Sequence, residues 1–330
     1  MVIATFRKSH AQTGVRPFDV YRDSKPVAEL MSVAFGGKLG PDGEIALAEM
    51  LHAARWGWLL GWLYWPRWDR SGIVPGFVWV EQGRVTGNVS LRRAWGWGGF
   101  FIGNVAVHPD WRGRGIAGAL MERALEAISA HGGRWVGLEV RADNQTARRL
   151  YERLGFREVG RTTYMLRSAG LPQVSSPSHP ALRRGRSYDG AALLDLVNAS
   201  VTTPHRPLLE LRKENYEPKP GWEQPLDYWL DGRREVWWVI EDGDVICGAV
   251  RALHERGRRP DQLEVLVAPV CSGRVETALV QQGMACLRSV PSKMVEVVLP
   301  VPTDPLVAAL EEVGFQKLRV LVQMRLDMLF

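Results

Sequence analysis

A loop rich in arginine and glycine, residues 112–117, has the residue types and spacing of a phosphate-binding site. An apolar run at 100–107 precedes the loop, and apolar residues at helical spacing follow it, so the loop joins a strand to a helix. Glycine lets the backbone turn tightly with its N–H groups exposed, and the N-terminus of a helix attracts anions. Arg112 and Arg114 add positive charge beside those amides. The loop therefore predicts a site for a phosphate or pyrophosphate.

Two other phosphate-binding patterns fit this loop less well. Gly113, Gly115 and Gly118 have the spacing of the dinucleotide fingerprint, with Glu139 about 20 residues further on. That fingerprint follows directly from a strand, whereas five residues, including Pro109, intervene here. The Walker pattern is absent, because no Lys-Ser or Lys-Thr follows the glycines. A dinucleotide is therefore disfavoured.

A carboxylate and a phenol that could serve as base and acid lie further along the chain. Residues 138–156 read LEVRADNQTARRLYERLGF, and their spacing predicts a strand followed by a helix. Glu139 stands near the end of the strand and Tyr151 on the helix. A carboxylate can accept a proton, and a phenol can donate one, during catalysis. The structural alternatives are a hydrogen-bonded or Arg-paired carboxylate and a packed aromatic ring.

Together the two segments resemble the signatures of the GNAT superfamily of N-acetyltransferases. The first signature, Val-x-Val-x-Pro followed by Arg-x-x-Gly-x-Ala, is read here at 105–109 and 112–117. The second signature is present as Asn144, Ala147, Tyr151, Gly155 and Phe156. The resemblance covers 75–167, while 1–74 fits by pattern only. Residues 135–156 are similar to the ribosomal-protein alanine N-acetyltransferase branch.

The resemblance implies acetyl-CoA as the acyl donor and an amine as the acceptor. The pyrophosphate is expected on the loop amides, with the pantetheine arm beside the strand that precedes the loop. Glu139 is expected as the general base and Tyr151 as the general acid, with direct attack by the amine. No covalent intermediate is expected, because no cysteine lies in this half. The expected donor-binding residues are Val105, Ala106, Val107, Arg112, Gly113, Arg114, Gly115, Ile116, Ala117, Asn144 and Ala147.

The identity of the acceptor is not implied, because the segment at 1–74, which normally shapes the acceptor site in this family, falls outside the likeness. A non-catalytic acyl-CoA-binding sensor or interaction module is the alternative function.

The two halves of the 330-residue chain read as tandem copies. Gly83 and Gly243 lie in similar predicted hairpins, and the strands VAVHP at 105–109 and VLVAP at 265–269 repeat the same offset. Gly155 and Gly314 follow similar predicted helices at an offset that is one position shorter. An offset held across a hairpin, a strand and a helix end indicates a duplication.

A Ser- and Pro-rich segment separates the copies and is typical of a linker. We therefore predict an α/β protein of two tandem GNAT-like domains, each with a mixed, mostly antiparallel central sheet flanked by helices. The predicted parts are an active domain at 1–167, a linker at 168–180 and a degenerate domain at 181–330.

The second copy keeps the fold pattern but not the chemistry. At the shared offset, Ser272 replaces the first arginine of the loop and Val275 replaces its second glycine. Leu310 stands at the position of the tyrosine and has no proton to donate. A carboxylate persists at Glu296. We therefore expect acetyl transfer in the first copy alone.

Local pattern predicts two helices ahead of the first hairpin. One is expected at 24–34 with Ser24 as its N-cap, and the second at 44–64. Tryptophans cluster at 56–68, where they form either a packed core or an aromatic wall for a bulky acceptor. That stretch is shorter than the roughly 20 apolar residues a spanning helix needs.

Composition narrows the class of protein further. Lys and Arg number 42 against 36 Asp and Glu, and no dense basic run is present, so neither nucleic acid nor membrane is expected as a partner. Three cysteines make no disulfide framework and no zinc pattern, so no metal is expected and a reducing compartment fits best. The N-terminal residues lack a signal-peptide core, and we expect a cytoplasmic protein. A homodimer is left open.

Overall fold

A computed structural model describes residues 13–36, 75–94, 98–177, 179–201, 203, 205–219, 232–243, 245–257, 259–287 and 293–328. The chain divides into two compact units, Met1–Leu138 with Arg325–Phe330, and Glu139–Met324. The helix predicted at 44–64 and the tryptophan cluster at 56–68 lie outside the described residues. Within the described ranges, no helix has the length and hydrophobicity needed to cross a bilayer.

The first unit is a five-stranded sheet in the order β1-β2-β3-β4-β5. Neighbouring strands are antiparallel except β4 and β5, which are parallel, so the sheet is mixed. Its elements are β1 (Gly14–Pro17), α1 (Val20–Phe35), β2 (Gly76–Glu81), β3 (Arg84–Arg93), β4 (Gly99–Val107), a 3-10 turn (Pro109–Trp111), α2 (Ile116–Ala130) and β5 (Trp135–Arg141).

Helix α1 begins earlier than its sequence pattern predicts. Its N-cap is Asp19, whose carboxylate accepts hydrogen bonds from the backbone N–H groups of Tyr21 and Arg22. The prediction of Ser24 as N-cap is wrong, because Ser24 lies inside the helix and its hydroxyl donates to the carbonyl of Val20. A carboxylate upstream of Ser24 thus caps the helix first.

Strand β4 is irregular near its end. Its parallel ladder with β5 covers Gly99–Ile102, and β4 continues to Val107. Asn104 has a φ of 51°, and the register with β3 shifts at the same place. An asparagine tolerates this left-handed conformation better than most residues. The strand that precedes the arginine–glycine loop therefore bends before it reaches the loop.

The second unit contains seven further strands in the order β12-β6-β11-β10-β9-β8-β7, and it includes the last residues of β5. Its strands are β6 (Arg157–Arg167), β7 (Leu182–Arg184), β8 (Arg233–Asp242), β9 (Val245–Glu255), β10 (Asp261–Val267), β11 (Val295–Leu299) and β12 (Phe315–Asp327). Its helices are α3 (Gln145–Arg153), α4 (Gly190–Ser200), α5 (Arg206–Leu209), α6 (Glu276–Cys286) and α7 (Asp304–Glu312), with 3-10 turns at Ser187–Asp189, Lys213–Tyr216 and Pro269–Cys271.

The last strands of the two copies pair with strands of the opposite copy. Strand β6, which ends the first copy, pairs antiparallel with β11 of the second, from Thr163 opposite Leu299 to Arg167 opposite Val295. Strand β12, which ends the second copy, accepts a hydrogen bond at the carbonyl of Val320 from the N–H of Ala142, just after β5. Hydrophobic periodicity within one copy does not reveal such an exchange.

The predicted fold class is confirmed. The element order β2-β3-β4-turn-α2-β5-α3-β6 repeats as β8-β9-β10-turn-α6-β11-α7-β12. The hairpin glycines Gly83 and Gly243 have φ values of 80° and 65°, and the helix-end glycines Gly155 and Gly314 have 91° and 93°. Between β6 and β7 the described residues form neither helix nor strand. The domain limits drawn from the sequence stay a prediction.

Two of the three cysteines are paired. Cys247 on β9 and Cys271 in the turn after β10 form a disulfide, and Cys286 on α6 is a free, half-buried thiol. Cysteine spacing alone offers no reason to expect this bond, because the two residues are 24 positions apart and meet only when β9 pairs with β10.

Candidate active site

The arginine–glycine loop is held open by its glycines. Gly113 and Gly115 have φ values of 76° and 78°, a left-handed conformation that residues with a Cβ rarely adopt. Gly115 is the N-cap of α2, so the helix begins directly at the loop. A Cβ built on either glycine meets no atom within 4 Å. Open space therefore lies beside both glycines at the start of α2, where an incoming anion would be attracted by the helix N-terminus.

Both loop arginines are exposed and oriented by local contacts. The Nε of Arg112 donates to the carbonyl of Val107 at 3.2 Å. The guanidinium of Arg114 lies 4.4 Å above the ring of Trp111 and donates to the carbonyl of Asp110. Two positive charges thus lie on the loop beside its glycines.

The apolar residues around the loop fasten it to the sheet. Ile116, the first residue of α2, is buried, and a Cβ on Gly87 of β3 would lie 2.8 Å from its side chain. Ala106 is buried with Val78 and Val80, while Val105, Val107 and Ala117 are half-buried. These contacts pack the end of β4 and the start of α2 against the sheet.

The second unit holds the predicted acid and base. Glu139 is exposed on β5, and its Oε1 accepts a hydrogen bond from Nε2 of Gln323 on β12 at 3.0 Å. Gln323 also donates to the hydroxyl of Thr162 on β6 at 2.7 Å. Sequence reasoning missed Gln323, although a single polar residue in the apolar run VLVQM was a signal that could have been used.

Asn144 forms the N-cap of α3, and its side-chain oxygen accepts from the N–H of Ala147 at 3.2 Å. Arg141 and Asp143, linked by two hydrogen bonds of 2.9 and 2.7 Å, brace the turn that leads into this helix. The Asn144 side-chain oxygen is therefore engaged in capping.

Tyr151 on α3 is only 6% exposed, and its ring lies 6.1 Å from that of Phe156. Burial raises the pKa of Tyr151 to about 12. The phenol therefore keeps its proton at neutral pH, as a general acid must. Glu139, Asn144, Ala147 and Tyr151 all belong to the second unit, whereas the strand and loop at 105–117 belong to the first.

The corresponding loop of the second copy is filled by its own carboxylate. Glu276, at the position of Ile116, is 2% exposed. Its Oε1 accepts from the N–H of Gly273 at 2.8 Å and from the hydroxyl of Ser272 at 3.2 Å, and its Oε2 accepts from the N–H of Val275 at 3.1 Å. These amides are satisfied internally and are not available to a phosphate.

Leu310 stands at the position equivalent to Tyr151 and has no proton to donate. Its side chain is fully buried in the apolar core around α7. Among the residues that the structure describes, no group of three His, Cys, Asp or Glu side chains is arranged to hold a metal ion.

Comparison with curated proteins finds relatives of the first copy. Residues 46–156 match the model of the family described as acetyltransferase (GNAT) family. The [ribosomal protein bS18]-alanine N-acetyltransferase of Escherichia coli strain K12 is 44% identical over 56 residues, which are 17% of this chain and 38% of that protein. The chain thus spans well under half the length of this curated relative.

Two solved structures share the fold along nearly the whole chain. A GCN5-related N-acetyltransferase from Sphaerobacter thermophilus has a TM-score of 0.63 at 18% identity and covers 95% of each chain. A tandem GNAT protein from the clavulanic acid biosynthesis pathway has a TM-score of 0.57 at 16% identity, covering 96% of this chain and 98% of that one. At such identities the likeness shows a tandem GNAT fold.

Proposed function

We propose that this chain, whose residues 46–156 match the acetyltransferase (GNAT) family, transfers an acetyl group from acetyl-CoA to a primary amine. The observation that carries the proposal is the open glycine loop at the start of α2, flanked by Arg112 and Arg114. The second copy has the same backbone element, but Glu276 occupies its amides. The proposed activity therefore resides in the first copy.

The donor is assigned to residues of β4, the loop and α3. The amides of Gly113 to Ala117 and the two arginines bind the pyrophosphate as an anion at a helix N-terminus. Val105, Ala106 and Val107 offer backbone groups to the pantetheine arm. Asn144 adds its side-chain N–H groups, because only its oxygen is used to cap α3.

The proposed chemistry needs one base and one acid. The neutral amine nitrogen forms a bond to the thioester carbon, and Glu139 takes the proton that this nitrogen loses. The carbon–sulfur bond then breaks, and Tyr151 gives its proton to the departing thiolate. The products are an amide and CoA, and the proton held by Glu139 returns through solvent to the Tyr151 phenolate. Glu139 is exposed and can exchange its proton with water. The buried Tyr151 holds its proton against loss to solvent until the thiolate leaves.

The acceptor is proposed only as a class, a primary amine. The Escherichia coli relative is named for an alanine of ribosomal protein bS18 as its acceptor, but the match to that protein covers only 56 residues. Because acetyl-CoA is the proposed donor, we place the activity in the cytoplasm. The proposed partner is a small-molecule or peptide amine. Neither a nucleic acid nor a membrane is proposed as a partner.

Initial-rate kinetics with varied acetyl-CoA and amine, together with intact-mass spectrometry, test the proposal. Direct attack predicts intersecting double-reciprocal lines and no acetylated protein after incubation with acetyl-CoA alone. Parallel lines with a stable acetyl-enzyme would contradict it. The first copy holds no cysteine, so an acetyl group found on a cysteine would also move the site to the second copy.

A further inference from the structure

Gln323 on β12 is a fully buried polar residue whose contacts are unusual for a core position. Its amide oxygen has no hydrogen-bond partner among the described residues, although its amide nitrogen has two. A buried, unpaired carbonyl oxygen lowers the stability of the fold. Leucine or methionine would fill the same space without that penalty. Packing alone therefore does not explain a glutamine here.

The two hydrogen bonds of the Gln323 nitrogen fix its orientation. One of its protons is directed to Oε1 of Glu139 on β5 at 3.0 Å, and the other to the hydroxyl of Thr162 on β6 at 2.7 Å. The bond to Thr162 holds the amide so that its nitrogen faces the carboxylate. Glu139 is thereby held at one oxygen, which leaves Oε2 for an incoming amine.

We propose that Gln323 is a positioning residue for the general base Glu139, supplied to the active site of the first copy by the last strand of the second. This inference rests on the proposed function, because it assumes that Glu139 accepts the proton of the amine. It also gives the degenerate copy a direct catalytic purpose, since β12 reaches Glu139 only through the strand exchange.

The charged and titratable groups near Glu139 come from three strands. Tyr164 on β6 is half-buried, and desolvation and then the charge of Glu139 raise the pKa of Tyr164 to about 12, so it stays neutral. The guanidinium of Arg319 on β12 lies 4.3 Å from the Tyr164 ring and 3.9 Å from the carboxylate of Glu296 on β11. The hydrogen bond to Glu139 comes instead from the neutral side chain of Gln323.

The variant Gln323→Met tests the inference. It keeps the length of the side chain and removes both the donor and the unpaired oxygen. We expect a Tm close to that of the wild type, because the removal of the unpaired oxygen offsets the loss of the hydrogen bond to the buried Thr162 hydroxyl. We expect kcat for amine acetylation to fall about tenfold, roughly 1.4 kcal/mol, with KM for acetyl-CoA within about twofold. The acid limb of the pH–rate profile should move to higher pH, since a donor that favours the charged carboxylate is lost.

Gln323→Glu places a second carboxylate against Glu139, and the glutamate side chain has almost the same shape as the glutamine that it replaces. Two carboxylates that share a site resist joint ionisation, so the acid limb should move further than in Gln323→Met.

Two matched controls separate positioning from packing. Val322→Ala removes buried methyl groups on the opposite face of β12, so it should lower Tm and leave the acid limb in place. Glu296→Gln changes the corresponding carboxylate of the second copy and should also leave the limb unmoved.

Glu139→Gln distinguishes failure of this inference from failure of the proposed function. If Glu139→Gln retains the wild-type rate and acid limb, the assignment of the base is wrong. If Glu139→Gln abolishes the limb while Gln323→Met behaves like Val322→Ala, Gln323 is structural and the inference is overturned.

Discussion

Tyr151 and Leu310 occupy equivalent places on α3 and α7, and both are buried. The leucine completes an apolar core, whereas the tyrosine adds a hydroxyl that burial keeps protonated. The sequence was sufficient to single out Tyr151, because the spacing from Asn144 to Phe156 is distinctive. It was not sufficient for Gln323, whose partner Glu139 lies 184 residues away and is reached only in the folded sheet.

Replacement of Tyr151 by phenylalanine tests its role as acid. The substitution keeps the ring contact with Phe156 and removes the proton, so kcat should fall about 100-fold with little change in CoA affinity. Tyr188→Phe, at an exposed tyrosine of the second copy, is the matched control and should retain full activity. Equal rates for the two variants would exclude the phenol as proton donor.

The pH dependence follows from the raised pKa of Tyr151. A group whose pKa is about 12 keeps its proton below that value and loses it only as the pH rises through it. The rate should therefore show no alkaline decline from Tyr151 up to about pH 10. A kcat profile on a stable amine substrate measures this. A decline near pH 9 that disappears in Tyr151→Phe would contradict the burial of the phenol.

At the scale of elements, the two equivalent strand–turn–helix segments differ in what occupies the loop at the N-terminus of the helix. The loop before α2 is open, and the loop before α6 is closed by Glu276. The sequence shows that the second loop lacks the arginine and the glycine of the first. It does not show that the Glu276 carboxylate binds the loop amides, because residue spacing does not specify a side-chain conformation. Likewise, Asp19 displaced Ser24 as the cap of α1.

The double variant Gly115→Val with Arg112→Ala tests the open loop. Valine is strained at a φ of 78°, and its side chain would occupy the space proposed for the anion, so affinity for CoA should fall at least tenfold, about 1.4 kcal/mol. Arg112→Ala alone, which leaves the backbone unstrained, should give part of this loss. Ser272→Ala in the second loop is the control. Calorimetric titration measures all three, and an unchanged affinity in the double variant would refute the assignment.

An ion pair between β1 and α1 stabilises the fold of the first unit. Arg16 donates two hydrogen bonds, of 2.5 and 2.6 Å, to the buried Asp23. Burial of Asp23 opposes its ionisation, but the hydrogen bonds from Arg16 and from the N–H of Asp19 outweigh it, so the pKa of Asp23 is lowered. The stability from this carboxylate is present above the ordinary aspartate pKa and is lost as pH falls through the lowered value.

Arg16→Met should therefore lower the free energy of unfolding by roughly 2 to 4 kcal/mol at neutral pH. The difference from wild type should shrink below about pH 4. Lys25→Met, which removes an exposed ion pair with Glu29 on the same helix, should change stability by less than about 0.5 kcal/mol. Denaturant titrations at several pH values check both, and a pH-independent loss in Arg16→Met would contradict the ion-pair account.

At the scale of the whole molecule, the duplication was visible in the sequence and the exchange of final strands was not. The nearly constant offset between the copies located each hairpin, strand and helix in both of them. Strands β6 and β12 have hydrophobic patterns that suit a central position in either copy, so pattern alone does not choose the partner. The disulfide between Cys247 and Cys271 escaped prediction for a similar reason, since pairing of β9 with β10 creates it.

Because one loop is open and the other is closed by Glu276, we expect one acetyl-CoA per chain. Isothermal titration of the full chain measures the stoichiometry. A value near two, with the second site lost on changing Ser272 or Val275 but not Arg112, would show that the second copy binds donor through its backbone.

Formation of an acetylated amine is the most direct test of the account. Purified chain is incubated with acetyl-CoA and a panel of small amines, polyamines, aminoglycosides and peptides with free N-termini, and mass spectrometry measures the acetylated product while free thiol is measured in parallel. We predict at least one acceptor with equal yields of amide and CoA, and about 100-fold less product with Tyr151→Phe. Tight binding of acetyl-CoA with no acetylated amine across the panel would contradict the account and favour a non-catalytic acyl-CoA sensor.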